Sequence, residues 1–197
     1  ATGRKVICYF SAGSYENWRS DAWRYAGSDL GNTLSGYPNE RWVDIRSANV
    51  RAILFARMDL AVSKGCDGVD PDNVDGYTNN TGFPLTAQHQ LDFNAALANA
   101  AHERGLAVSL KNDIEQIGAL LPYVDFAVNE SCHVYNECHR LAPVIAAGKP
   151  VFNVEYESKY VTSSSQRAAL CADAQARQFR TLMLPLQLND AYRYSCD

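Results

Sequence analysis

The chain is predicted to fold as an α/β protein in which short buried strands alternate with helices around a parallel sheet. Six runs of roughly five residues are strand candidates, the first of them a continuous apolar run of the kind that a strand buried on both faces needs, and helical segments lie between them. Carboxylate, amide or amine groups follow four of these strands at their carboxyl ends, where barrel enzymes keep their chemistry. Together these observations favour a TIM-type (β/α)8 barrel with its site on that face.

The barrel predicted from these elements is incomplete. A closed barrel takes eight strands and about 250 residues, whereas this chain has 197 residues and six or seven strand candidates. We therefore expect one or more amino-terminal strands to be missing from this chain. An open doubly wound sheet is the alternative, and it would place the site in the crevice where the strand order reverses.

Most of the predicted strands are short runs rich in apolar residues, and each is followed by small or polar residues. The six runs are residues 6–10, 65–69, 106–110, 124–128, 150–154 and 181–185. Residues 41–46 are predicted to form either a short strand or an extended link. Residues 21–40 contain glycines and a proline with weak periodicity, so we expect a loop with little helix there.

Five helices are predicted between the strands, at residues 47–64, 86–104, 114–121, 137–147 and 166–178. The first has Ser47 as its expected cap and Gly65 as its end. Its apolar positions recur at helical spacing, which predicts one buried face. Those positions are Val50, Ile53, Leu54, Met58, Leu60 and Ala61.

Length and composition indicate one globular domain over residues 1–197. Hydrophobic residues make up 47% and charged residues 20%, with a net charge of -4. An acidic chain is a poor partner for nucleic acid and suits a neutral or cationic substrate. No apolar run of about 18 residues predicts a membrane span, and we expect a monomer that needs no cofactor.

The six cysteines favour disulfides and a secreted protein. Cys171 and Cys196 are predicted to pair near the carboxyl end, and Cys8 and Cys66 to meet across adjacent strands. The remaining two lie in a cluster that has a second interpretation, because thiolate and imidazole groups also bind zinc. That cluster is Cys132, His133, Cys138 and His139. We favour a small disulfide loop between Cys132 and Cys138 and expect no metal.

The acidic stretch GCDGVDPDNVD at residues 65–75 is the strongest candidate for a site. Side chains alternate along a strand, so Asp70 and Asp72 are expected on one side. We predict Asp72 and Glu130 as a working carboxylate pair, because breaking a glycosidic bond takes one carboxyl to protonate the leaving oxygen and another to act as nucleophile or base. A solvated or calcium-binding turn, or carboxylates that cap the following helices, are the structural alternatives.

Other polar and aromatic residues near the strand ends are candidate substrate contacts. Asn73 and Asn129 are placed to orient the carboxylates, Lys111 to hold one of them ionised, and Tyr9 and Tyr156 to face sugar rings. Small residues after the first strand, including Ser11, would let a ligand approach the backbone. The full set of predicted contacts is Tyr9, Ser11, Glu16, Asp70, Asn73, Asp75, Lys111, Asn112, Asn129, Glu155 and Tyr156.

Several segments in order along the chain resemble glycoside hydrolase family 114, the endo-α-1,4-polygalactosaminidases. They are VICYFSAGSYENWR, RWVDIRS, KGCDGVDPDNVDGY, LKND, VNESCHVYNEC and GKPVFNVEY, which run from about Val6 to Tyr156. The resemblance implies a (β/α)8 barrel that cleaves α-1,4-linked galactosamine polymers, with Asp72 and Glu130 as the catalytic residues. It also implies that Asp70, Asp75 and Glu155 pair with ammonium groups of this cationic polysaccharide.

Two positions depart from the family pattern. Asp70 stands where the family usually has Glu, and Ser131 stands where it usually has Gln. Neither change removes a proposed catalytic group. A non-catalytic amino-sugar-binding protein is the alternative function, and a metal-dependent hydrolase using Asp70, Asp72 and Asp75 is a third.

Overall fold

A computed structural model describes residues 3–197 of the chain. The chain divides into two compact units, residues 1–124 and 125–197. The single domain expected over residues 1–197 stays a prediction. None of the helices in residues 3–197 combines the length and the apolar character that a membrane crossing requires.

Within residues 3–124, the first unit contains six strands and three α-helices. The strands are β1 (Ile7–Ser11), β2 (Ser14–Glu16), β3 (Leu30–Leu34), β4 (Tyr37–Val43), β5 (Gly68–Asp72) and β6 (Ala107–Lys111). The helices are α1 (Ala48–Ser63), α2 (Ala87–Glu103) and α3 (Ile117–Leu120), with 3-10 turns at Ala22–Arg24, Gly27–Asp29, Gly76–Thr78 and Ile114–Gln116.

Parallel pairing of β1, β5 and β6 confirms the predicted arrangement of these strands. Ile7 pairs with Gly68 and Ser11 with Asp72, while Gly68 pairs in turn with Ala107. The parallel pairing of β1 with β5 brings Ser11 and Asp72, the last residues of the two strands, to the same edge.

The predicted loop over residues 21–40 is wrong. Most of its second half forms β3 and β4, which pair antiparallel, and β2 pairs with the other edge of β4. Gly36 turns the chain between them with a φ of 83°, which glycine adopts without strain. Gly31 lies against the Thr81 backbone, where a Cβ would come within 2.0 Å of the Thr81 oxygen. These glycines serve the hairpin, although their presence suggested a loop.

Helix α1 begins and ends where its capping residues predict. The Ser47 hydroxyl accepts a hydrogen bond from the Val50 N–H, and Gly65 follows the helix with a φ of 76°. Its buried face consists of five of the six predicted positions, Val50, Ile53, Leu54, Met58 and Ala61. Leu60 was also predicted on this face, but it is 53% exposed.

The second unit repeats the alternation of strands and helices. Its strands are β7 (Phe126–Glu130), β8 (Val151–Glu155), β9 (Arg180–Met183) and β10 (Tyr194–Ser195). Its helices are α4 (Ala142–Ala146), α5 (Lys159–Thr162) and α6 (Ser164–Ala176), with a 3-10 turn at Cys138–Leu141. Strands β7, β8 and β9 are parallel, and β10 pairs antiparallel with β9.

All three predicted disulfides form. Cys8 is bonded to Cys66, Cys132 to Cys138 and Cys171 to Cys196. The first joins β1 to the residues just before β5, and the third fixes the carboxyl-terminal segment to α6.

Candidate active site

Asp72 is the last residue of β5, and three groups of the first unit hold its carboxylate. Oδ2 accepts a hydrogen bond from Tyr9 Oη at 3.0 Å and lies 3.3 Å from Lys111 Nζ. Oδ1 accepts one from the backbone N–H of Asn73 at 2.7 Å. Two hydrogen-bond donors and one cation thus surround this carboxylate. Asp72 is therefore suited to act as a nucleophile or base, or to stabilise developing positive charge.

Tyr9 and Lys111 also contact each other beside this carboxylate. Lys111 is 6% exposed, and its Nζ lies 5.9 Å from the centre of the Tyr9 ring. Tyr9 itself is 49% exposed. Burial, followed by the charge of Asp72, raises the pKa of Tyr9 above its ordinary value, so its hydroxyl remains a neutral donor. Tyr9 is therefore a partly exposed aromatic residue whose hydroxyl is bonded to the Asp72 carboxylate.

A chain of hydrogen bonds connects the Asp72 loop to the hairpin. Asn73 Nδ2 donates to Ser11 Oγ at 2.8 Å, and Ser11 Oγ lies 2.6 Å from Ser14 Oγ. Ser14 Oγ donates to Glu40 Oε2 at 2.7 Å. We call Glu40, Ser14, Ser11 and Asn73 the hairpin chain. It fixes the residue that follows Asp72, and its far end is a carboxylate.

The small residues after β1 admit backbone rather than ligand. The N–H groups of Ala12 and Gly13 donate to the Asp72 carbonyl oxygen at 2.9 and 3.1 Å. A Cβ on Gly13 would lie 1.7 Å from the Asn73 carbonyl oxygen. Ser11 has no exposed surface. The loop after β5 therefore occupies the space beside these residues, where we had predicted that a ligand would approach the backbone.

Glu16 lies in a buried charge network. It is 3% exposed, and Arg19 donates to both of its oxygens, at 2.6 and 3.0 Å. Arg57 Nη1 lies 3.8 Å from Glu16 and donates to the Ser11 carbonyl oxygen at 3.0 Å. Arg57 also binds Asp21 through two hydrogen bonds of 2.8 and 2.9 Å. Through the bond from Arg57 to the Ser11 carbonyl oxygen, this network holds the last residue of β1 in place.

Three further acidic residues lie in or just after strands β5 and β6 in the first unit: Asp70 and Asp75 are half-buried, and Asp113 is buried. Asp70 accepts a short hydrogen bond from Ser109 Oγ. Burial, and then the charge of Asp72, raises the pKa of Asp75. Burial and the charge of Asp75 raise the pKa of Asp113 to about 7, although Asn94 Nδ2 donates to its Oδ2 at 2.9 Å. Asn112, just before Asp113, has a left-handed backbone with a φ of 50°.

Glu130 is the last residue of β7 in the second unit. Its Oε1 accepts a short hydrogen bond from Tyr156 Oη. Ser131 then turns the chain with a φ of 63°, and its N–H donates to the Val154 carbonyl oxygen at 2.8 Å. Asn129, buried beside it, accepts a hydrogen bond from Asn153 Nδ2 at 3.2 Å. Tyr156 therefore belongs to the immediate surroundings of Glu130, whereas the Asn129 side chain points into the unit.

The turn after Glu130 is anchored on Glu155, which has no exposed surface. Its Oε1 accepts hydrogen bonds from the backbone N–H of His133 at 2.9 Å and from Asn153 Nδ2 at 3.2 Å, and lies 3.0 Å from His133 Nδ1. His133 Nε2 lies 3.2 Å from Asp173. This burial favours an internal role for Glu155, and its predicted contact with substrate stays a prediction.

A model of glycoside-hydrolase family GH114 matches residues 1–197, the whole chain. The chain belongs to family GH114. In the crystal structure of Aspergillus fumigatus Ega3 in complex with galactosamine, the matched chain is 46% identical, with a TM-score of 0.93. That match covers 98% of this chain and 79% of Ega3.

This GH114 chain is also similar to two other proteins. The glycoside hydrolase domain of a PelA variant from Pseudomonas aeruginosa matches with a TM-score of 0.75 at 16% identity, over 98% of this chain and 82% of that domain. An uncharacterised Deinococcus radiodurans protein is 29% identical over an alignment of 192 residues, gaps included, which covers 85% of this chain. The chain spans 62% of the length of that relative. The two solved structures, with the alternating elements, confirm the predicted α/β fold of the TIM-barrel class.

The possible metal ligands of this GH114 chain are engaged in other ways. Cys132, His133, Cys138 and Glu155 bring ligand atoms within 4.8 Å of one another, but the two sulfurs are bonded to each other. Cysteine binds a metal as the free thiolate, and neither sulfur is free here. The bond between Cys132 and Cys138 confirms the predicted disulfide loop.

Sequence reasoning missed Glu40, Arg57, Asp113 and His133 as parts of these surroundings. Glu40 and Arg57 belong to a hairpin and a helix face, for which no strand-end pattern exists. Asp113 directly follows the strand-end residues Lys111 and Asn112, and that position was the available signal.

Proposed function

We propose that the protein is a secreted endo-acting glycoside hydrolase that cleaves α-1,4-linked galactosamine polysaccharide. The observation that carries the proposal is membership of GH114 together with 46% identity to a chain that was crystallised with galactosamine. The resemblance of the sequence motifs to polygalactosaminidases adds the linkage and the endo mode.

Asp72 and Glu130 are the two carboxylates that we assign to the reaction. Tyr9, Lys111 and the Asn73 N–H surround Asp72 with donors, which suits an anion that attacks the sugar or activates water. Glu130 bonds to the Tyr156 hydroxyl and takes the complementary role of the acid that protonates the leaving oxygen. Catalysis by such a pair needs one carboxyl group that is ionised and one that carries a proton.

The acidic character of the chain suits a substrate that carries free amines. The net charge is -4, and anionic groups attract a polycation before it reaches the site. Tyr9 is 49% exposed, so its ring can stack against a sugar while its hydroxyl stays on Asp72.

Three disulfides support the inferred secretion, because such bonds persist in oxidising compartments. The native protein should be recovered from culture medium with all six cysteines protected from alkylation until a reductant is added. Native protein found only inside the cell with free thiols would contradict secretion.

The deciding experiment is incubation of the purified chain with de-N-acetylated α-1,4-galactosamine polymer, with the products read by mass spectrometry. Asp72→Asn and Glu130→Gln are the paired variants, since each removes an ionisable group and keeps the shape. We expect the parent to release oligomers and both variants to release none above the background. Circular dichroism checks that the variants fold.

Failure of the well-folded parent to release any oligomer would overturn the hydrolase proposal for this chain. A variant that cut the polymer at near the parental rate would remove that residue from the mechanism. Galactosamine binding by a parent that releases no product would identify the chain as an amino-sugar-binding protein.

A further inference from the structure

The charges of three carboxylates act on Tyr9 in the first unit. Burial raises the pKa of Tyr9 most, followed by the charge of Asp72 and the hydrogen bond to it, and then by the charges of Glu16 and Glu40. Asp72 has Lys111 at 3.3 Å, and Glu16 has Arg19 at 2.6 Å. Two of the three anions therefore already have a cation beside them.

Glu40 differs from the other two. Within residues 3–197, no lysine or arginine nitrogen lies within 4.0 Å of its carboxylate. Its Oε2 accepts from Ser14 Oγ at 2.7 Å, and the residue is partly exposed in β4. Burial raises the pKa of Glu40, and the charges of Glu16 and Asp72 raise it further. A positive charge placed here would stabilise the carboxylate.

We propose that Glu40 binds an ammonium group of the amino-sugar substrate beside Asp72, and so selects the free amine over the N-acetyl form. This inference rests on the proposed function and names a specificity residue of the same site. A primary ammonium has three donors and can bond to Oε1 while Ser14 keeps Oε2. An N-acetyl group carries no charge, so it gains nothing from a second carboxylate near Asp72.

Two of the residues first predicted for this role are less suited to it. Glu155 has no exposed surface, and Asp70 accepts a short hydrogen bond from Ser109 Oγ. Glu40, in contrast, is partly exposed and has no lysine or arginine nitrogen within 4.0 Å among residues 3–197. The GH114 chain at 46% identity was crystallised with galactosamine, which fits a free amino sugar as the ligand.

The hairpin chain gives Glu40 a second connection, which the test must separate from the first. Through Ser14, Ser11 and Asn73, its carboxylate supports the residue after Asp72. Glu40→Gln removes the charge and keeps an oxygen for Ser14. Glu40→Ala removes both the charge and the acceptor.

The experiment measures kcat and KM of the full chain and its variants on fully de-N-acetylated and on partially N-acetylated α-1,4-galactosamine polymer. Because a hydrogen bond to a charged group contributes about 1.5–3 kcal/mol, Glu40→Gln should raise KM for the fully cationic polymer about tenfold or more. The effect on kcat and on KM for the acetylated polymer should be smaller. Glu40→Asp should recover part of the preference for the cationic polymer, since it restores the charge.

Glu103→Gln is the matched control, because it removes one exposed negative charge at the end of α2. It should leave both kinetic constants and the polymer preference unchanged. Equal KM values for Glu40→Gln and the parent on the cationic polymer would overturn the inference. So would a loss confined to Glu40→Ala and expressed in kcat, which would leave Glu40 only the structural role in the hairpin chain.

A binding measurement keeps this inference separate from the hydrolase proposal. Galactosamine is titrated by calorimetry into Glu130→Gln and into the double variant Glu130→Gln, Glu40→Gln. Weaker binding to the double variant supports the ammonium contact even if the parent cleaves nothing. Equal binding rejects the contact even if the parent is an active hydrolase. If the double variant fails to fold, galactosamine is titrated into the parent and into Glu40→Gln instead.

Discussion

The hydroxyl of Tyr9 reaches diagonally across two parallel strands to the carboxylate of Asp72. In the strand register Tyr9 is paired with Asp70, yet its Oη donates to Asp72 Oδ2, two residues further on, at 3.0 Å. The tyrosine therefore leans toward the carboxyl end of β5, where Asp72 is the last strand residue. This hydrogen bond holds both the Asp72 carboxylate and the partly exposed Tyr9 ring in position.

Tyr9→Phe should lower kcat about tenfold, because it removes one hydrogen bond to an anion and keeps the ring. The effect on KM should be small, since a sugar can still stack on phenylalanine. Steady-state kinetics on the de-N-acetylated polymer measure both constants. Tyr37→Phe, which changes an exposed tyrosine of β4, is the control, and the interpretation fails if both variants behave alike.

Lys111→Met should lower both stability and activity. The lysine is 6% exposed and its Nζ lies 3.3 Å from Asp72, so its removal leaves a partly buried carboxylate without its cation. Loss of one partner of such a pair costs about 3 kcal/mol. Urea denaturation measures the free energy of unfolding.

The double variant Lys111→Met, Asp72→Asn tests the reason for that loss. If the uncompensated charge is the cause, adding Asp72→Asn should recover part of the stability lost in Lys111→Met. Additive losses would mean that Lys111 stabilises the unit independently of Asp72.

The residues around Asp72 were predictable because the carboxyl ends of neighbouring parallel strands lie at the same edge of the sheet. Tyr9, Asp72 and Lys111 come from separate places in the sequence, and each lies at or near the carboxyl end of an apolar run. Once the strands are recognised, the parallel order brings those ends to one edge. Sequence pattern therefore predicted which residues could surround Asp72 without any knowledge of distances.

Glu40 could not be predicted in the same way. It belongs to β4, whose residues YPNERWV show no clean alternation, and its partner β3 contains a glycine at residue 31. Antiparallel hairpins are recognised by period-2 patterns and short turn signals, and here both are weak. The contact with Ser14 depends on tertiary placement of the hairpin beside β1.

Three acidic residues that were all predicted as substrate contacts differ in their burial and in their partners. Asp70, Asp75 and Glu155 all follow the pattern of acidic groups at strand ends. Their different surroundings arise from which face of the strand each occupies and what packs on it, so sequence position alone could not separate a substrate contact from an internal anchor.

Glu155→Ala should destabilise the protein by about 2–4 kcal/mol. The substitution leaves the His133 N–H and Asn153 Nδ2 buried without their acceptor, and each unsatisfied group costs about 1–3 kcal/mol. Glu157→Ala, at an exposed neighbouring position, should change stability little. Urea denaturation of both variants gives the comparison.

Glu155→Gln separates anchoring from substrate contact. It keeps an oxygen for His133, so we expect a smaller loss of stability and no change in the preference for cationic over acetylated polymer. A parental stability combined with a raised KM for the cationic polymer alone would instead make Glu155 a substrate contact.

Asp113→Asn should remove a pH dependence of stability. Burial, followed by the charge of Asp75, raises the pKa of Asp113 from 3.8 to about 7 in the folded protein. Between pH 4 and 7, roughly, the folded state keeps a proton that the unfolded state has released. The free energy of unfolding therefore falls as pH rises through this window and levels off above it.

The size of this fall follows from the pKa difference. Each pKa unit corresponds to about 1.4 kcal/mol, so Asp113 contributes a decline on the order of 4 kcal/mol. Asparagine suits the variant because it tolerates the left-handed backbone of this residue, whose φ is 41°. Asp92→Asn, at an exposed position of α2, is the control and should follow the parent.

Urea denaturation at intervals from pH 4.5 to pH 8 measures the difference. The parent should lose stability relative to Asp113→Asn as pH rises, because only the parent must ionise a buried carboxyl. Parallel curves for the two proteins would show that Asp113 ionises in the folded state as readily as in the unfolded one. In that case the hydrogen bonds that Asp113 accepts from Asn94 Nδ2, at 2.9 Å, and from Tyr77 would have to offset the cost of burial.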